Sequence, residues 1–237
     1  MPTIKKKGYA SPKQSEQEIL TLAHTISDFM AKYRRQFTIV LSVLAGVIVL
    51  AAGYAIMRVH QENKAAPLVA AAYEYYNPSS GSSGDYNKAL GLFREVQTKY
   101  AGTKNAAIAQ YYAANCLVKL GQPDEALKAY QLFINDYSRE KFLLGLVYQR
   151  MGYVYEGMGK LDDARKAFEQ SEALAGPGPA TVELAHLAEA SGNGPEAEKR
   201  YRTILDKLAG TNWSMEAMNK VQKTAPVPQP VAGKETK

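Results

Sequence analysis

"GKLDDARKAF", Gly159 to Phe168, places glycine, alanine and an aromatic ring at offsets of zero, five and nine. The same three classes recur at the same offsets in "GDYNKALGLF" from Gly84, "GQPDEALKAY" from Gly121 and "GNGPEAEKRY" from Gly192. Successive copies start 37, 38 and 33 residues apart, close to the roughly 34-residue period of stacked helix pairs. Each glycine reads as the end of one helix, where the chain needs a left-handed residue that glycine adopts without a Cβ penalty. Pro123 and Pro195 then fall near the start of the next helix, where no amide partner is needed. Asp124 and Glu125, Asp162 and Asp163, and Glu196 follow in the first turn, where the positive end of the helix dipole favours carboxylates.

The alanines, Ala89, Ala126, Ala164 and Ala197, sit where two antiparallel helices approach closely only if one side chain is a methyl. Four residues on, Phe93, Tyr130, Phe168 and Tyr201 share that face and fill the gap toward the neighbouring unit. The third copy also keeps the first helix of its unit, "YQRMGYVYEGMG", with Gly152 and Tyr155 at the "LGxxY" positions of the tetratricopeptide pattern. Over roughly residues 65 to 210 the chain resembles the tetratricopeptide repeat family. The first copy carries a polar insert, "NPSSGSSG", and the fourth has Ala185 and Ala188 in place of the pattern glycine and tyrosine. After the last copy, Trp213, Met215, Ala217, Met218 and Val221 recur at helical spacing. They predict a helix that covers the apolar end of the array.

From Phe37 to Met57, "FTIVLSVLAGVIVLAAGYAIM" runs 21 residues without a charge, enough for a helix of about 30 Å that crosses a bilayer. The run is longer than a secretory signal core and 36 residues precede it, so it reads as an uncleaved span. Seven lysines and arginines lie before it, against Arg58 and Lys64 in the twenty residues after it. That asymmetry predicts a cytoplasmic N-terminus. The formal net charge of +6 is concentrated before the span, which removes the main argument for nucleic-acid binding. Ile19, Leu22, Ala23, Ile26, Phe29, Met30 and Tyr33 predict a short amphipathic helix resting on the cytoplasmic leaflet.

The expected fold class is therefore all-α: one N-terminal transmembrane helix, then a tetratricopeptide-like α-solenoid of about four helix pairs with a C-terminal capping helix. The expected divisions are a basic tail over 1–36, the span over 37–57, the repeat domain over 58–223 and a proline-rich disordered tail over 224–237. Residues 1–13 should likewise be loose.

No catalytic motif is present, and His24, His60 and His186 are too dispersed to ligate one metal. The sequence thus predicts no enzyme, no metal and no cofactor. Cys116 falls in an apolar helix and reads as a small buried hydrophobe.

An array of helix pairs presents a concave wall made by its first helices, a surface suited to other polypeptides. The tetratricopeptide register directs Tyr111, Asn115, Lys119, Gln149, Tyr153, Glu156, His186 and Glu189 toward that wall as the partner-binding groove. Tyr111 and Tyr153 read equally as partner contacts and as helix packing.

The layout of "SEQEIL", "DFMAKYRRQF", a single span, "KAAPLVAAAYEYY" and repeats beyond resembles the YfgM-type ancillary subunit of the bacterial SecYEG translocon. The resemblance implies a single-pass inner-membrane protein with a periplasmic C-terminal domain. Its implied partners are translocon subunits, a periplasmic chaperone and unfolded clients. The alternatives are an adaptor linking cell-envelope assemblies in division or polymer export, and an organelle import receptor.

Overall fold

The computed structural model describes residues 20, 21, 24, 25, 27–29 and 31–224. The expectations for residues 1–13 and for 225–237 lie outside the described residues. So do Ile19, Leu22, Ala23, Ile26 and Met30 of the amphipathic stretch. Contacts divide the chain after Val59 into two units.

In the first unit the described residues between 20 and 32 are helical, and the Phe29 and Tyr33 rings pack with centroids 4.7 Å apart. Helix α1, Arg34–Tyr76, begins here. Its apolar side chains from Phe37 to Met57 are exposed, Leu50 at 75% and Val49 at 70%. Among the described residues α1 is the one helix long and apolar enough to cross a membrane. The sequence separated a span from the first repeat, whereas the helix runs through both without a break in assignment, including Pro67.

The second unit contains the rest of α1 and eight further helices among the described residues. They are α2 (Tyr86–Lys99), α3 (Lys104–Lys119), α4 (Pro123–Asp136), α5 (Lys141–Gly157), α6 (Leu161–Ala175), α7 (Pro179–Ala190), α8 (Gly194–Lys207) and α9 (Asn212–Thr224). Each helix from α2 onward packs on the next, and α3 also touches α5, so the first helices of neighbouring units meet along one wall. Four helix pairs followed by α9 result.

The repeat code works as packing. Ala89, Ala126, Ala164 and Ala197 are buried, and so are Phe93, Tyr130, Phe168 and Tyr201. Gly121, Gly159 and Gly192 carry φ of 71°, 73° and 75°. The residue after each donates its amide five residues back, Gln122 to Leu117, Lys160 to Tyr155 and Asn193 to Ala188, at 2.8–2.9 Å. These bonds satisfy carbonyls that the helix end would leave open. Gly84 departs from this role. It is glycine because a β-carbon there would run into the carbonyls of Tyr75 and Tyr76, and the left-handed turn of the insert is made by Gly81 instead.

The main core extends from Ala65, Val69 and Ala72 on α1 to Ala167 on α6. A smaller core joins Val182, Ala185, Ala188, Ala197, Tyr201 and Ile204 to Ala217 of α9. Helix α9 covers that end as expected, but with a different face. Ser214 and Ala217 are buried and Val221 packs beside them, while Trp213, Met215 and Met218 are exposed. Helical spacing alone accommodated all five apolar residues; the small interhelical gap selects the methyl of Ala217 instead of the bulkier thioethers.

Candidate partner-binding wall

Helices α3, α5 and α7 supply the wall. On α3, Tyr111, Asn115 and Lys119 are spaced one turn apart and so share a face. On α5 the same periodicity aligns Gln149, Tyr153 and Glu156. Tyr111 and Asn115 are buried inside the repeat, a correction to their expected place on the wall's surface. The Tyr111 hydroxyl accepts a hydrogen bond from Arg150 Nε at 3.3 Å. The Asn115 side-chain oxygen accepts from the Tyr130 hydroxyl. Large rings from the second helices crowd this region, so polar groups at α3 are consumed by partners within the fold.

What remains open is a recess of about 100 Å³ lined by Tyr76, Asn115, Val118, Lys119, Tyr130, Arg150, Tyr153 and Val154. Arg150 and Lys119 are exposed at its mouth, while the phenols form its walls. Among the described residues no carboxylate pairs with Arg150; its hydrogen bond goes to a neutral phenol. Burial pushes the Tyr76 phenol up to about 12, and burial raises Tyr130 as well. Both stay protonated donors at any physiological pH. Burial likewise pushes the Cys116 thiol up to about 12, leaving it inert beneath the wall.

Beyond the recess the wall becomes acidic. The Tyr153 hydroxyl donates to Glu183 Oε1 at 3.0 Å, and its ring meets Phe168 edge-on at 5.2 Å. Burial and then the Glu183 charge raise the Tyr153 phenol, against a hydrogen bond with Gln149 that lowers it. Glu156 is raised by burial first and by Glu183 second. His186 lies between Glu216 Oε1, 2.6 Å from Nε2, and Glu183 Oε2, 3.4 Å from Nδ1. Burial pulls its pKa down, but the hydrogen bonds and charges of Glu216 and Glu183 outweigh that and raise it. Glu189 accepts from Lys220 Nζ at 2.6 Å.

The expected residues therefore divide. Asn115, Lys119 and Tyr153 line the Arg150 recess, Tyr111 bonds Arg150 from within the repeat, and Gln149 stands beside Tyr153. Glu156 lies in the acidic stretch with His186. His186 and Glu189 are tied to α9 instead of facing the recess. Sequence reasoning missed Arg150, Tyr76, Glu183 and Glu216. Arg150 stood inside the quoted "YQRMGY" stretch, but nothing in the spacing distinguished it from a solvated charge.

A family model described as a tetratricopeptide repeat-like domain matches residues 31–221, well over half the chain. The chain belongs to that family. No curated protein matches the chain. Among solved structures, a tetratricopeptide repeat protein from Parabacteroides merdae is similar with a TM-score of 0.55 at 13% identity, over 68% of this chain and 60% of that one. The nearly identical TPR-like repeats of a kinesin light chain sequence from Podosopora anserina give 0.52 at 15% identity, over 68% and 84%. At these identities the likeness shows the fold alone.

As a tetratricopeptide repeat-like domain, the array is a protein–protein interaction scaffold. One clasp inside it had no counterpart in the repeat pattern. Glu62 on α1 accepts the backbone amides of Lys104 and Asn105, the latter at 3.1 Å, and the Asn105 side-chain amide at 2.7 Å. A carboxylate there meets the positive end of α3 and ties α3, hence the recess wall, to the C-terminal part of α1.

Proposed function

We propose that this protein is a membrane-anchored scaffold that holds extended polypeptide segments on its first-helix wall during export across the cytoplasmic membrane. The observation that carries the reading is the Arg150 recess. A guanidinium that no carboxylate pairs with among the described residues stands with the Lys119 ammonium and the Tyr76 and Tyr153 rings in one solvent-open hollow. Those groups match the carbonyl oxygens and mixed side chains of an unfolded chain, which a scaffold for varied clients must hold without reading one sequence.

Exposure of the apolar run from Phe37 to Met57 supports a transmembrane anchor, since such a surface is stable in hydrocarbon and costly in water. The basic bias before it supports a cytoplasmic N-terminus and a periplasmic array. With the YfgM-type layout, the partners proposed are SecYEG translocon subunits, a periplasmic chaperone and emerging clients. The adaptor reading draws on a different observation, the exposed Trp213, Met215 and Met218 of α9, which suit a folded partner.

A photocrosslinker placed at Lys119 in intact membranes tests the proposal, with Lys166 on α6 as control. Capture of translocon subunits and unfolded chains at 119 and not at 166 is the expected result. Capture of only folded envelope proteins moves the assignment to the adaptor. Equal capture at both positions overturns the wall. Labelling a cysteine introduced at Lys199 from outside the membrane checks the topology, and reaction from the cytoplasmic side alone would reverse it.

A further inference from the structure

Among the described residues helix α9 meets the array through an apolar contact, a Lys220 ammonium over the Tyr201 ring and charged links to α7. Its fully buried side chain toward the array is the methyl of Ala217, with Ser214 and Val221 beside it. The links are Glu216 to His186 at 2.6 Å and Lys220 to Glu189 at 2.6 Å. Both links cross the seam between α9 and α7, so the docking of α9 responds to their charge state. Beneath α9 lies the apolar end of the array, formed by Val182, Ala185, Tyr201 and Ile204.

We propose that α9 is a pH-controlled cap: protonated His186 holds it against α7, and loss of that proton loosens it. The charges that face His186 come from every neighbouring element. Glu183 and Glu189 stand on α7, Glu156 and Tyr153 on α5, Tyr201 on α8, and Glu216 and Lys220 on α9. Burial, and then Glu189, raise the Tyr201 phenol, so it stays neutral throughout. With imidazolium present, the carboxylates on both sides of the α7–α9 seam share a cation. Once it is neutral, Glu216 faces Glu183 with only a polar ring between them, and like charges at that range repel.

The sign follows from the direction of the shift. His186 is raised in the folded chain, so its link is complete below the ordinary histidine value of about 6.5 and is lost as pH climbs through the raised value.

Trp213 is the chain's single tryptophan and stands on α9, so it reports the cap directly. Acrylamide quenching of the full chain in detergent is measured from about pH 5.5 to about pH 8.5, spanning the ordinary histidine value. In the native chain quenching should rise along a single titration with its midpoint above about 6.5. His186→Gln should give the high-pH quenching at every pH. Glu216→Gln, which keeps the imidazole and removes its nearest charge, should move the midpoint downward. A flat native profile overturns the proposal, as does a native-like titration in His186→Gln. If His186→Gln fails to fold, an unchanged midpoint in Glu216→Gln overturns it and a lowered one supports it.

Discussion

From α3 to α6 the array is closed largely by rings, whereas from α7 to α9 it is closed by aliphatic side chains, one ring and charges. Tyr130, Phe133 and Phe168 are fully buried in the first stretch, with Leu144, Val147, Met151 and Val154 around them. Gly152 lets the Phe168 ring lie directly on α5; a β-carbon there would overlap it. In the second stretch the buried set combines Ala180, Ala185, Ala188, Ala197 and Ala217 with Val182, Leu184, Leu187, Ile204 and a single ring, Tyr201. Polar links make up the difference. Arg200 on α8 reaches Glu172 on α6 at 2.7 Å and Glu196 at 2.8 Å, and Glu172 also accepts from the Thr181 hydroxyl at 2.6 Å. One repeat pattern thus supports two kinds of cohesion. The apolar kind is indifferent to pH and to charge screening, and the charged kind responds to both.

The strongest way to break the contrast is Phe168→Ala. It empties a fully buried ring site and should cost about 3–5 kcal/mol in urea unfolding. A cost comparable with that of a surface substitution would deny the ring-packed centre. Gly152→Ala attacks the same contact from the other side. The ring or the helix must shift, and a loss of about 1–3 kcal/mol is expected in the same assay. Glu62→Ala leaves the α3 amides without their acceptor and should cost about 1–2 kcal/mol, mostly recovered in Glu62→Asp only if the shorter arm still reaches.

Arg200→Met sharpens the comparison at the charged end. The guanidinium is 19% exposed and its carboxylates somewhat more, so screening limits the loss to about 1–2 kcal/mol. Hydrogen exchange should show that loss in α7 and α8 and not in α4. The smallest effect expected is that of salt alone. At about 1 M, where the screening length falls to about 3 Å, amides of α9 should lose protection while those of α5 keep theirs. Equal changes in both helices would erase the distinction.

The repeat was legible in the sequence because its determinants are local. Glycine at a left-handed cap, proline and carboxylates in a first turn, and a methyl four residues before a ring each act within one helix and its neighbour. The face of α9 was not legible, since Met215 and Met218 share one side of the helix and Ser214, Ala217 and Val221 another, and composition alone favoured the methionines. The wall was half legible. Register put Tyr111, Asn115 and Tyr153 on faces that meet near Arg150, but not how deep each would sit, because depth depends on rings contributed by α1 and α4. Arg150 and Glu216 gain their roles from side chains far away in sequence, Tyr111 and His186, and no spacing rule carries that information. Glu62, which closes on α3 across 42 residues, was invisible for the same reason.

The central claim is that the Arg150 recess grips extended polypeptide. Fluorescence anisotropy of a labelled, permanently unfolded protein titrated with the full chain in detergent tests it directly, comparing native protein with Arg150→Ala, Tyr153→Ala and Lys166→Ala. The account predicts saturable binding that weakens about tenfold in Arg150→Ala and Tyr153→Ala, the loss of roughly one well-placed contact, with Lys166→Ala unchanged. Binding that is absent, or equally strong in all four proteins, would contradict it.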